Sequence, residues 1–243
     1  MMANCLCGAK RVIQLSYPRM KRTFVITGTD TGAGKTVLTA LMAAFLTKKK
    51  IRVSAFKPVC SGGRDDARKI FAALNGALTL DEINPWHFRA AIAPSLAAQR
   101  EGKSISIAQV LAHICAQGKH FDAVLVEGAG GLLSPIGKDF DSRDLIRALR
   151  ATPIIVAPNK LGVVNHLLLS LEALPKNYRA KAIIVLMSPA IVDSATVSNA
   201  KLLGEFFPPE RIFTLPWFGK TFDLASSLNQ PQTRRTLQKL FQI

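Results

Sequence analysis

The sequence predicts an α/β fold: a single doubly wound, mostly parallel sheet with helices on both faces. Three observations predict it. From Lys21 onward, short β-type runs alternate with helix-period runs across the rest of the 243 residues, the pattern of repeated βα units. The β-type runs are apolar at consecutive positions, as in Ala123–Val126, which is how strands buried on both faces read. The stretch Gly28–Thr36, GTDTGAGKT, lies directly between a β-type run, Thr23–Thr27, and a helical run, Val37–Lys48. Strand, glycine-rich turn and helix start in that order form an anion cradle, where free backbone N–H groups and the positive end of the helix dipole converge.

The elements follow in order. A strand over Ile51–Phe56 ends at Lys57-Pro58, and a helix over Asp65–Leu74 follows the Ser61-Gly62-Gly63 turn. Residues 75–103 read as irregular, with Asn84-Pro85-Trp86 and Ala93-Pro94 as turn signals. A helix over Ile105–Gln117 leads into the apolar strand at Ala123–Val126, which closes on Glu127 and a glycine run. Then come a helix near Ser142–Leu149, a strand Pro153–Ala157, a helix Val163–Leu174 and a strand Ala182–Leu186. A helix Ala195–Phe206, a strand Arg211–Leu215 and a C-terminal helix Thr233–Phe241 finish the chain. There is no internal repeat and no linker that would split residues 21–243, so they read as one P-loop α/β domain. Residues 1–20 are basic, acid-free and aperiodic, and stay an unassigned N-terminal extension. Translation from Met20 and an organelle transit segment are both open for it.

Hydrophobic residues make up 49% of the chain, which supplies a core and excludes general disorder. No apolar run approaches the ~18–20 residues that span a bilayer. The four cysteines, Cys5, Cys7, Cys60 and Cys115, show no CxxC pair and fit a reducing, cytoplasmic setting. The net charge of +16 admits two readings: attraction to nucleic acid or anionic membrane, or a basic surface around a site for anionic ligands. The cations are dispersed without interleaved aromatics or a nucleic-acid-binding signature, so the second is preferred, with neither nucleic acid nor membrane as partner.

In the glycine-rich loop, Lys35 is placed to reach terminal phosphates as a point charge, and the Thr36 hydroxyl to ligate a bridging Mg²⁺. The spacing departs from G-x-x-x-x-G-K-[ST]: counted back from Gly34, the first glycine falls on Thr29, and Gly28 stands one residue earlier. Ligands of such sheets gather at the carboxyl ends of the strands. Lys57, Ser61, Asp65, Asp66 and Glu127 all stand there. Glu127 closes a hydrophobic strand, the usual place for a second Mg²⁺ contact in P-loop proteins, although a helix-capping or surface role is its alternative. Lys57 is suited to stabilise a transferring phosphoryl group, or is an exposed lysine before a proline turn.

Taken in order, GTDTGAGKT, Lys57–Gly62 (KPVCSG), Val126–Gly131 (VEGAGG) and Lys160-Leu161-Gly162 with Asn165-His166 resemble the dethiobiotin synthetase family. The likeness runs from about Lys21 to Phe218. It implies an ATP-dependent ligase of biotin biosynthesis that carboxylates 7,8-diaminononanoate with CO2 and closes a cyclic urea, with Mg²⁺ as cofactor and ATP as co-substrate. By the same resemblance Lys57, Lys35 and Thr31 are catalytic, and Thr36, Asp66 and Glu127 hold the metal. Gly32, Ala33, Gly34, Lys35, Thr36, Val37, Asp66, Glu127, Gly128, Ala129 and Gly130 bind the nucleotide, with Pro216, Trp217 and Phe218 as a wall of the base pocket. Thr31, Ser61 and Gly130 line the diamine end. Gly162, Val163, Val164 and Asn165 match a helix start that receives the substrate carboxylate from the neighbouring subunit, which implies a homodimer.

Two departures stand out. Gly32 and Ala33 replace a Glu-Val pair of some members. Leu186-Met187-Ser188 stands where the family commonly has an Asn-Asp that reads adenine, and a methionine offers only a weak acceptor. The rival reading is a partner-regulated P-loop ATPase of the chromosome-partitioning type. Those carry a signature lysine near the start of the loop, whose place here is Asp30. His87, His113, His120 and His166 have no partners at metal-ligand spacing, and the resemblance makes Cys60 a pocket-wall residue.

Overall fold

Strand formation follows from β-branched, apolar runs whose residues are covered on both faces. In β1 (Arg22–Gly28) and β5 (Ala123–Glu127) five consecutive residues are buried, which only a sheet sandwiched between helices provides. A computed structural model describes Met20 and residues 22–242; the N-terminal extension, with Cys5 and Cys7, lies outside the described residues. After β1 the chain forms α1 (Lys35–Lys48), β2 (Val53–Phe56), β3 (Val59–Ser61), α2 (Asp65–Leu74), α3 (Leu80–Ile83), β4 (Trp86–Phe88), α4 (Pro94–Arg100) and α5 (Ile107–Gly118). Beyond β5 it forms α6 (Ser142–Ala148), β6 (Thr152–Pro158), α7 (Val163–Glu172), α8 (Lys176–Arg179), β7 (Ile183–Met187) and α9 (Ser194–Leu203). A 3-10 turn at Pro209–Arg211, β8 (Ile212–Leu215), α10 (Leu224–Asn229) and α11 (Pro231–Leu240) end it.

Six strands make one sheet in the order β2-β5-β1-β6-β7-β8, and every pairing is parallel. The order places β1 between the two windings, so the loop after it opens at the topological switch point, where such sheets bind ligands. Register then decides who meets there. Phe56 is level with Val126, and Ile26 with Glu127, so Lys57, Glu127 and the glycine-rich loop emerge side by side.

α1 is buried around nearly its whole circumference, from Leu38 to Ala44 and at Leu46, as expected of a helix threaded through a core. The C-terminal helix covers it: Phe241 stacks on Phe45 at 5.9 Å and meets Phe24 edge-on at 5.8 Å. Met20 packs against the same core.

The stretch 75–103 is not irregular throughout. Thr79 and Glu82 form a capping box that starts α3, and Pro94 occupies the first turn of α4, where its missing N–H is harmless. Trp86–Phe88 pairs with Val59–Ser61 in a second, two-stranded parallel sheet. These elements are too short to show a period, and their prolines read as turn signals. The helix expected from Ile105 begins at Ile107, because the Ser106–Gln109 capping box fixes its start.

Leu41 is fully buried in α1. Replacing it with alanine is expected to lower unfolding free energy by about 3 kcal/mol, read as a shifted urea midpoint with an unchanged slope.

Candidate functional site

The loop after β1 is shaped by close backbone approach. A Cβ on Gly28 would lie 3.2 Å from the Val156 carbonyl, and one on Gly34 would lie 2.8 Å from Met187 Cγ. Gly34 also takes φ +97° as the N-cap of α1, a conformation natural to glycine. Asp30 Oδ1 accepts from Thr31 N–H at 2.6 Å, and the Asp30 carbonyl accepts from Lys35 Nζ at 2.8 Å. Lys35 is buried, and burial followed by the nearby Lys57 charge lowers its pKa to about 8.

Beside the loop, Lys57 and Glu127 meet as an almost fully buried ion pair, 4% and 1% exposed. These values exclude the alternatives of an exposed lysine and a surface glutamate. Lys57 Nζ donates to Glu127 Oε1 at 2.6 Å and to the Gly128 carbonyl at 3.0 Å, and it lies 3.4 Å from Asp66 Oδ2. The Thr36 hydroxyl donates to the same Glu127 Oε1 at 2.8 Å. Burial opposes the charge on Lys57, yet Glu127 and Asp66 outweigh it and raise its pKa. Burial likewise pushes the half-exposed Asp66 carboxyl up, while Lys57 and the Thr36 hydroxyl hold it below the usual range.

Glu127 Oε2 is buried without a hydrogen-bond partner, an arrangement that costs free energy until something binds it. With the Thr36 hydroxyl and Asp66 it offers hard oxygen donors. Among the described residues no cluster of three or more His, Cys, Asp or Glu could hold a metal alone. One or two carboxylates plus a hydroxyl, completed by phosphate and water, is the donor set that suits Mg²⁺, so these residues fit the implied ion.

The other expected positions fall into four groups. Gly32, Ala33, Gly34, Thr36 and Val37 form the loop and the first turn of α1, and Gly128, Ala129 and Gly130 follow Glu127. Thr31 is exposed, and its Oγ1 lies 3.8 Å from where a Gly130 Cβ would stand, so these two share one rim. Ser61 is close by in sequence to Lys57, but its hydroxyl already donates to the Ile92 carbonyl at 2.6 Å. Gly162 caps α7, putting Val163, Val164 and Asn165 in its first turn after β6. Among the described residues no hydrogen bond or ion pair joins this turn to the Lys57–Glu127 cluster. Pro216, Trp217 and Phe218 follow β8, beside the end of β7 that carries Met187, and Trp217 is 48% exposed.

His113 is half-buried, bonded to the Glu82 carbonyl at 2.7 Å and set edge-on to Phe56 and Trp86. His87, His120 and His166 are exposed. Cys60 is buried, and burial raises its thiol pKa, the opposite of an activated nucleophile. Sequence reasoning missed Arg64 and Asn84, which bond to each other beneath Lys57. Their only sequence signal is the Asn-Pro dipeptide, which reads as a turn.

A family profile described as an AAA domain matches residues 22–221. A protein of Akkermansia muciniphila named ATP-dependent dethiobiotin synthetase is 36% identical over 186 residues, covering 76% of this chain and 87% of that one. The protein of that name from Bacillus velezensis is 37% identical over 156 residues, covering 62% and 67%. Among solved structures, the pNOB8 ParA protein bound to nonspecific DNA superposes with a TM-score of 0.58 at 13% identity, over 92% of this chain and 98% of that one. MinD in the Aquifex aeolicus MinC:MinD complex gives 0.52 at 14% identity, over 91% and 94%. The last two similarities establish the P-loop α/β fold alone. With the profile match and the sequence relatives together, the chain belongs to the ATP-dependent dethiobiotin synthetases, P-loop ligases of biotin biosynthesis.

Proposed function

We propose that the site carboxylates 7,8-diaminononanoate with CO2 and closes the cyclic urea at the expense of ATP, and that the buried Lys57–Glu127 pair beside the loop carries this reading. One amine of the substrate adds to CO2, losing a proton and leaving a carbamate. A carbamate oxygen attacks the γ-phosphorus as ADP departs, giving a carbamic–phosphoric anhydride. The second amine then attacks the carbamoyl carbon, phosphate leaves and a proton is released. Because the carbamate oxygen is already anionic, no strong general base is needed. The demand is instead for positive charge around a crowded set of oxygens.

Lys35 and Lys57 meet that demand from two sides. Lys35 rests on a single backbone carbonyl in the loop, and a triphosphate is a far stronger partner for it. Lys57 is fixed at its far side by Glu127 and Gly128, so its charge is preorganised. Thr36, Asp66 and Glu127 would hold Mg²⁺, which when bound supplies charge neutralisation on the phosphates. Thr31 and Gly130 would border the diamine. The first-turn N–H groups of Val164 and Asn165 suit a carboxylate. Leu161 and Leu169 beside them are 83% and 63% exposed, which supports a homodimer whose neighbouring subunit delivers that carboxylate.

Base recognition is expected to be loose. Met187 has no donor, and the nearby Asn159 amide is already engaged with Thr196 and Asn199. Purified protein given the diamine, bicarbonate, Mg²⁺ and each of ATP, CTP, GTP and UTP should form dethiobiotin with several triphosphates, at rates within about tenfold of one another. Product with ATP alone would defeat the loose pocket; ATP hydrolysis without product would favour the partner-regulated ATPase. Lys57→Met should leave ATP binding within a few-fold while kcat falls about a hundredfold, and an unaltered kcat would remove Lys57 from the chemistry.

A further inference from the structure

We propose that Asn84 is a positioning residue for Lys57 and Asp66, a role that rests on the synthetase reading of Lys57. Asn84 is fully buried. Its Nδ2 donates to the Lys57 carbonyl at 2.7 Å and to the Trp86 carbonyl at 3.4 Å. Its Oδ1 accepts from Arg64 Nε at 3.1 Å and from Cys60 Sγ at 3.2 Å. A carboxamide has two donors and two acceptor positions, so this side chain is fully used.

The two directions of bonding reach the two sides of the site. Toward β2, the Lys57 N–H donates to the Ile83 carbonyl at 3.0 Å, so both backbone polar groups of Lys57 are held by residues 83 and 84. The Trp86 N–H closes the same junction on the Pro58 carbonyl at 3.1 Å. Toward α2, Arg64 also donates through Nη2 to the Leu80 and Asn84 carbonyls at 2.9 and 3.0 Å, and pairs with Asp81 at 2.8 Å. Arg64 is the residue from which α2 starts. Asp66 lies in the first turn of that helix and reaches Lys57 Nζ from the other side. One amide therefore ties the main chain at Lys57 to the head of the helix that presents Asp66.

The amide is chemically specific for this task. Aspartate at position 84 keeps the shape and still accepts from Arg64 and Cys60, but sets a carboxylate oxygen against the Lys57 carbonyl. Leucine removes every bond and strands the Arg64 Nε and the Lys57 carbonyl in the interior. Small displacements of a charge-bearing group are costly for transfer chemistry.

Asn84→Asp and Asn84→Leu test the assignment, each compared with wild type for ATP affinity, for kcat and KM toward the diamine, and for the rate at which a water-soluble acetylating reagent modifies Lys57, read by peptide mass spectrometry. Asn84→Asp is expected to bind ATP and to keep KM within about twofold, while kcat falls about thirtyfold and Lys57 acetylates about tenfold faster. A kcat within twofold of wild type, or a loss of kcat with Lys57 as protected as in wild type, would overturn the proposal. Should Asn84→Leu fail to fold, Asn84→Asp alone decides. If wild type forms no dethiobiotin with any triphosphate, the synthetase reading fails, and the acetylation rate separately decides the positioning: faster modification upholds it and an unchanged rate overturns it.

Discussion

An ammonium and a carboxylate held 2.6 Å apart with almost no exposure put a demand on everything around them. Taking both charges out of water is expensive, and removing either partner from such a pair costs about 3–5 kcal/mol. The pair persists because both ends are fixed before they meet. Glu127 ends a strand buried along its length, and Lys57 follows the strand in register beside it. A second carboxylate, Asp66, and the Thr36 hydroxyl close the ring around them. Two lysines facing two carboxylates bring the resting cluster near neutrality, so the approach of a polyanion does not meet an already saturated positive site.

The same arrangement leaves specific deficits. Glu127 Oε2 has no partner, and Lys35 is buried with only the Asp30 carbonyl to hold it. A buried carboxylate oxygen without a partner and a buried ammonium with one weak partner both carry a cost that a bound ligand can relieve. They point in complementary chemical directions, one toward a cation and one toward an anion. A metal–triphosphate is a ligand that answers both at once.

Much of this was legible in the sequence, for a physical reason. Strands such as Ala123–Glu127 are buried on both faces, so every residue reports its environment through composition. The glycine-rich loop reports itself because its backbone geometry tolerates few residues. The carboxyl ends of parallel strands converge, so naming Lys57 and Glu127 as strand-end residues was enough to bring them together. Residues 75–103 were harder, because three-residue strands and four-residue helices carry no period. Asn84 was hidden for a related reason: its partners Lys57, Cys60 and Arg64 lie more than 19 positions away in sequence, and a buried amide beside a proline looks like any turn. The proposed base pocket was read from the resemblance alone, with Pro216, Trp217 and Phe218 as a wall and Met187 as a departure; that Met187 packs against Gly34 had no signal in the sequence.

Similarity of fold to ParA and MinD cannot choose between a ligase and an ATPase that works through partners, since all share the strand, loop and helix that hold phosphate. The choice rests on side chains. In the partner-regulated class a lysine is expected where this chain has Asp30. Here the Asp30 carboxylate caps Thr31, and its carbonyl holds Lys35, so the position shapes its own loop and offers no second cation to the nucleotide. In the proposed reaction the additional positive charge would come from the opposite wall, from Lys57. That lysine directly follows β2, its carbonyl is held by Asn84, and it is 4% exposed. A charge supplied from within the same chain suits a reaction whose acceptor oxygen is itself anionic and must be drawn to the phosphate.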